Sequence, residues 1–175
     1  MTKHMILFSI GSDRPGIVDD VSTRLFELGA NILDSRMTVM GGCFSIMILF
    51  SYSPEKLEVI KTEMTVALEA MGLKTYLHEA QDPETIPKRT ALPLYIEVTS
   101  VDHPGIVHEI VHCLRRKNAN IESLVSRITC APFSGAPLFH LSIETAIPAE
   151  NPIAEVKEEL LTIAANMNLD LNFQN

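Results

Sequence analysis

The sequence predicts an α+β protein built from two tandem βαββαβ units. Three observations carry that expectation. The chain repeats itself, short strand-like apolar runs alternate with helical stripes in the same order in each half, and a proline-bearing segment without hydrophobic period divides the halves. The repeat can be read directly. Asp13-Arg14-Pro15-Gly16-Ile17-Val18 returns 89 positions later as Asp102-His103-Pro104-Gly105-Ile106-Val107. At the same spacing Leu25 matches Leu114, and Ala30-Asn31-Ile32 matches Ala119-Asn120-Ile121, which makes nine identities in the twenty positions from Asp13 to Ile32. Beyond them the match slips by two, setting Ser35-Arg36-Met37-Thr38 against Ser126-Arg127-Ile128-Thr129. The expected boundaries are a first domain over 1–80, a linker over 81–92 carrying Pro83 and Pro87, and a second domain over 93–175.

Each element has its own signal. Met5 to Ile10 is a short apolar run of the kind that forms a buried strand. Ile17, Val18, Val21, Leu25 and Leu28 follow helical spacing, and Gly29 is placed to end that helix. Ile32 to Val39 alternates, with Leu33, Ser35, Met37 and Val39 expected on one side and Ile32, Asp34, Arg36 and Thr38 on the other. Gly41-Gly42 is hairpin chemistry, and Phe44 to Phe50 is the return strand. Ser53-Pro54-Glu55 reads as a helix start with a capping serine, followed by the stripe Leu57, Ile60, Met64, Leu68, Met71 and the stop Gly72. Lys74 to His78 closes the first half. The second half repeats the order. A strand over Leu94 to Val98 precedes a helix lined by Ile106, Val107, Ile110, Val111 and Leu114. Paired strands over Ile121 to Thr129 and Leu138 to Ile143 follow, then a helix from Asn151-Pro152 with Ile153, Val156, Leu160, Ile163 and Met167 inward. A last alternating strand runs over Leu169 to Phe173.

A βαββαβ order folds into a four-stranded antiparallel sheet with both helices on one face, the ferredoxin-like arrangement. The other face carries enough apolar residues to want a cover, and a two-fold homodimer is the expected association.

Composition narrows the function. With 14 basic against 22 acidic residues the net charge is −8, which argues against direct nucleic-acid binding. The longest apolar run, Ile46 to Phe50, is too short to cross a membrane, and the N-terminus lacks a signal-peptide pattern. Three cysteines without a C-x-x-C fit a reducing, cytoplasmic setting. There is no phosphate loop, nucleophile elbow or dinucleotide fingerprint, so neither catalysis nor a cofactor is expected. His108 and His112 stand four apart on a helix, a metal-compatible spacing without a third fixed ligand, and read as a solvated face. The basic clusters Lys88-Arg89 and Arg115-Arg116-Lys117 are read the same way, the second at a helix C-terminus that favours cations.

The repeated loop has more to offer. A proline fixes the backbone at a helix start, a glycine leaves room beside it, and the free N–H groups of the first turn favour an anion such as a carboxylate. Asp13 can take an ammonium or cap the turn. Asn31 and Asn120 each bring one acceptor and two donors to the start of the next strand.

These residues resemble the ACT domain, whose pattern runs Asp-[Arg/His]-Pro-Gly-Ile-Val between first strand and first helix and Ala-Asn-Ile at the second strand. Two such units without a catalytic domain resemble the glycine cleavage system transcriptional repressors. The resemblance covers about Lys3 to Phe173 and implies a small regulatory module that binds an amino acid, with glycine the family-based expectation. It further implies action through a protein partner such as a DNA-binding activator. Resembling domains also precede the catalytic parts of formyltetrahydrofolate deformylase and of some phosphoserine phosphatases. The alternative implied is therefore a free-standing regulatory subunit of an amino-acid or one-carbon enzyme. The ligand residues implied are Asp13, Arg14, Pro15, Gly16, Ile17, Asn31 and Ile32, with Asp102, His103, Pro104, Gly105, Ile106, Asn120 and Ile121. Of these, the Gly16, Asn31, Ile32, Gly105, Asn120 and Ile121 positions are expected at a domain–domain interface. The second copy departs from the first at His103 for Arg14 and at Asn118 for Gly29.

Overall fold

The computed structural model describes residues 2–87, 91–132 and 135–174. It divides into two compact units, Met1–Pro87 and Lys88–Asn175. Unit 1 runs β1 (Lys3–Ser12), α1 (Ile17–Glu27), β2 (Asn31–Met40), β3 (Cys43–Tyr52), α2 (Leu57–Ala70) and β4 (Leu73–Ala80). Unit 2 runs β5 (Ala91–Val101), α3 (Ile106–Arg116), β6 (Asn120–Cys130), β7 (Pro137–Pro148), α4 (Ile153–Met167) and β8 (Asp170–Gln174). The sheets have strand orders β2-β3-β1-β4 and β6-β7-β5-β8, antiparallel throughout. This is the ferredoxin-like arrangement, twice. β5 starts at Ala91, inside the expected linker, because Ala91 and Leu92 pair with Pro148 and Ile147 at the far end of a β7 longer than its apolar run suggested. Lys88 and Arg89 lie outside the described residues.

Each unit closes its own core. In unit 1 Met5 and Leu7 of β1 and Phe44, Ile46, Ile48 and Phe50 of β3 bury against Ile17, Val21 and Leu25 of α1 and Ile60, Met64 and Leu68 of α2. In unit 2 the matching set includes Leu94, Ile96, Val98, Ile110, Leu114, Leu141, Ile143, Val156 and Leu160. Burial of apolar area on the helix-covered face is the main stabilising term in both.

The first helix ends in a Schellman turn in both units. Gly29 N–H donates to Phe26 O at 2.8 Å and Ala30 N–H to Leu25 O at 2.9 Å; Asn118 N–H donates to Arg115 O and Ala119 N–H to Leu114 O, both at 3.0 Å. Gly41 and Gly42 take φ of 57° and 78°, as a two-residue hairpin requires. Ser53 makes no side-chain cap; the chain enters α2 through a single 3-10 turn over Pro54–Lys56.

Two expectations for the second strand need correction, and one bulge explains both. The β2–β3 register shifts between Ile32 and Asp34, and the β6–β7 register shifts between Ile121 and Ser123. Leu33 is the extra residue, so Ile32, opposite Phe50, shares the helix-covered face with Ser35, Met37 and Val39, not the other face. Because both units carry the bulge at the same place, the repeat spacing does not slip along this strand. Ser35 pairs with Ile48 and Leu124 with Ile143, so Ser35 corresponds to Leu124 and not to Ser126. The Ser-Arg-x-Thr likeness is fortuitous.

Candidate functional site

The same construction follows the first strand of each unit. Gly16 caps α1 at φ 83°, ψ −4°, and Gly105 caps α3 at φ 102°, ψ −14°. That left-handed backbone costs a residue with a Cβ roughly 1–2 kcal/mol. Conformation, not crowding, demands glycine here. A Cβ at Gly16 would meet nothing within 4 Å, and one at Gly105 would touch Met167 Cε at 3.9 Å. Pro15 and Pro104 sit in the turn before the cap rather than in the first helical turn.

Neither helix receives a side-chain cap, so Asp13 and Asp102 do not play that part. The N–H groups of Asp20 and Glu109 turn back onto the carbonyls of Gly16 and Gly105 at 2.9 and 3.0 Å. The amides of Ile17, Val18 and Asp19, and of Ile106, Val107 and His108, have no intrahelical acceptor. Those amides and the helix dipole make an uncapped, anion-favouring start in each unit. The side chains of Ile17 and Ile106 are buried in the cores, so only their backbones can serve a ligand.

Around this shared frame the units differ. Asp13 N–H donates to Gly42 O at 3.3 Å, and Asp102 N–H to Pro137 O at 3.1 Å, tying each loop to the hairpin of its own sheet. Arg14 folds over the first turn, with Nη2 at 2.5 Å from Asp20 Oδ2. His103 turns the other way, its Nδ1 at 3.2 Å from Pro104 O and its Nε2 at 3.3 Å from Met167 O.

The two parts of the expected pocket are not together within a unit. Asn31 pairs with Ser51, at the level of His4, so it lies at the opposite end of β1 from Ser12 and the loop. About 16 Å of helix separates Gly16 from the start of β2, as eleven residues at 1.5 Å each require. Asn120 and Ile121 instead line a hollow of about 470 Å³ with Val111, Arg115, Asn118 and Ala119. Arg115 was not among the expected site residues, although the basic run it opens lies just before Asn120. Its counterpart in unit 1 is Phe26, which is 80% exposed.

Among the described residues no group of three or more His, Cys, Asp or Glu is placed to hold a metal. His108 and His112 stack on the exposed face of α3 with ring centroids 5.8 Å apart. No helix of the described residues is long and apolar enough to cross a membrane.

A family model described as ACT domain matches residues 3–78, from the start of β1 into β4 of unit 1. A UPF0237 protein of Listeria innocua is 35% identical over 78 residues, which cover 88% of that protein and 43% of this chain. The chain belongs to the ACT-domain family. The glycine cleavage system transcriptional repressor of Escherichia coli K12 is 26% identical over 167 residues, spanning 94% of this chain and 86% of that one. A crystallised protein from Galdieria sulphuraria, described as unknown, matches with a TM-score of 0.85 and 28% identity over 99% of this chain and 98% of its own. Both full-length likenesses run through both ACT units, so the tandem arrangement is shared and not peculiar to this chain.

Proposed function

We propose that the chain is a non-catalytic regulatory protein whose ACT units bind a free amino acid, glycine first among those to test, at the Asp-x-Pro-Gly loops. The observation that carries this reading is the uncapped helix start behind a left-handed glycine, present in both units. A carboxylate is the group such a start accepts, and Asp13 or Asp102 stands beside it for an ammonium. Asn31 with Ile32, and Asn120 with Ile121, serve as the second half of a pocket. Since a helix length separates the halves inside a unit, the pocket is completed by association. Exposed edge strands favour a homodimer: every residue of β2 is exposed, including Leu33, Met37, Val39 and Met40, and its outer backbone groups are unpaired. The likeness to the repressor supports an output through a DNA-binding protein partner, and the net charge of −8 supports contact with that partner rather than with DNA.

Calorimetry of the full chain against a panel of free amino acids tests the sensing half. Saturable heat with one or a few of them is expected, and no heat with any contradicts it. Affinity capture from a lysate tests the output. Recovery of a transcription factor is expected; recovery of a metabolic enzyme alone favours the regulatory-subunit reading.

A further inference from the structure

The sheet faces not covered by helices differ between the two units along their central strands. In unit 1 that face carries Ile6, Phe8, Ile10, Met47 and Leu49, with Phe8 stacked on Tyr76 at 6.3 Å. In unit 2 the corresponding positions are Tyr95, Glu97, Thr99, Ser142 and Glu144. The fold does not require polar residues there, since the same fold does without them in unit 1. Their arrangement is also not that of a dispersed solvated surface. Glu97, Thr99, Val125, Arg127, His140 and Ser142 line a hollow of about 470 Å³, within the usual range for small-molecule sites.

Register orders the groups. Arg127, His140 and Thr99 lie side by side across β6, β7 and β5, and Val125, Ser142 and Glu97 form the next row. The His140 ring is held at both nitrogens, by Thr99 Oγ1 at 3.3 Å and Thr129 Oγ1 at 2.9 Å. Threonine hydroxyls donate or accept, so the ring stays in place in either protonation state. Among the described residues neither Arg127 nor Glu97 has an ion-pair partner, whereas Arg36 on the equivalent strand of unit 1 is paired with Asp34. Strand and pleat spacings put the Arg127 and Glu97 backbones roughly 12 Å apart, too far for a direct pair yet within reach of a small molecule between the two long side chains.

We propose that this face of unit 2 is a second small-molecule site, distinct from the loops, that takes an amino-acid-sized zwitterion with its carboxylate against Arg127 and its ammonium against Glu97. Arg127 supplies a fork that matches a carboxylate, Ser142 adds a hydroxyl donor, and Glu97 rejects a simple anion while rewarding a positive group. Val125 gives the ligand's carbon skeleton an apolar edge.

Amide-resolved NMR of the full chain, titrated separately with glycine, acetate and methylammonium, tests the site. Glycine is expected to shift the amides of Thr99, Arg127, His140 and Ser142 more strongly than either half-ligand. Arg127→Ala is expected to weaken glycine at these amides about tenfold or more. Glu97→Gln is expected to erase the preference for glycine over acetate. Both side chains are exposed, so neither change threatens the fold. Shifts confined to the Gly16 and Gly105 loops would overturn the site while leaving the loop reading standing. Shifts at the face that ignore both substitutions would overturn it too.

Discussion

Gly29 and Asn118 occupy the same place in their units, just past the first helix, with φ of 72° and 50°. Asparagine is the side-chain-bearing residue that best tolerates this conformation, so a departure in the sequence is none in the backbone. The helix pairs tell a similar story. Glu63 on α2 and Glu159 on α4 hold equivalent positions, and each is clamped by a cation from the first helix of its unit. In unit 1 the cation is Arg24; in unit 2, where that position is the buried Cys113, Arg116 takes over with Lys117. Backbone demands are met alike in both units, while the surfaces have diverged: Phe26 against Arg115, Arg14 against His103, an apolar sheet face against a polar one. Between the two repeats the frame is kept and the surface varies.

The cores should break first and break separately. Leu25→Ala and Leu114→Ala each remove a fully buried side chain at equivalent positions and should each cost about 2–5 kcal/mol. Denaturant titration followed by unit-specific amide signals should place each loss in its own unit; a loss shared equally would contradict separate cores. Next come the caps. Gly16→Ala and Gly105→Ala should each cost about 1–2 kcal/mol from backbone strain, with no added term for crowding, since neither Cβ would collide. A much larger loss at one of them, read by the same titration, would show that the two loops are not the same device.

The helix ends should respond unequally. A Cβ at Gly29 would stand 2.5 Å from Lys56 Nζ, which donates to Leu28 O at 2.8 Å. Gly29→Asn should therefore lower stability by displacing Lys56, while Asn118→Gly should change it by less than about 1 kcal/mol. Equal effects on the thermal midpoint would sink this distinction. The smallest effect is that of pH. Burial pushes the Glu159 carboxyl up, but hydrogen bonds and charge from Lys117 and Arg116 outweigh it and hold it below the ordinary carboxylate value. A lowered pKa contributes stability above the unfolded value and loses it as pH falls through the folded one. Unit 2 should thus lose a small increment on acidification below about pH 4.5, and Glu159→Gln should flatten that part of the profile.

Much of this was legible in the chain. Element order, the hairpin glycines, the helix end at Gly29 and most core positions follow from period and turn chemistry, because burial and backbone strain are local demands. The second strand was misread because a bulge leaves no mark in an alternating run; Leu33 looks like any inward residue. The separation of Gly16 from Asn31 was legible only in part, since eleven helical residues imply a length but not which neighbour closes the gap. The polar face of unit 2 was invisible because Glu97, Arg127 and His140 lie on three strands and only the register brings them together.

The central claim is that both units offer a ligand the same uncapped helix start. Amide-resolved titration of the full chain with the amino acid that calorimetry selects measures it most directly. The amides of Ile17, Val18 and Asp19 and of Ile106, Val107 and His108 should move together with the binding curve, and Gly16→Ala and Gly105→Ala should abolish the response each in its own unit. Saturable binding that leaves both sets of amides unmoved would contradict the account.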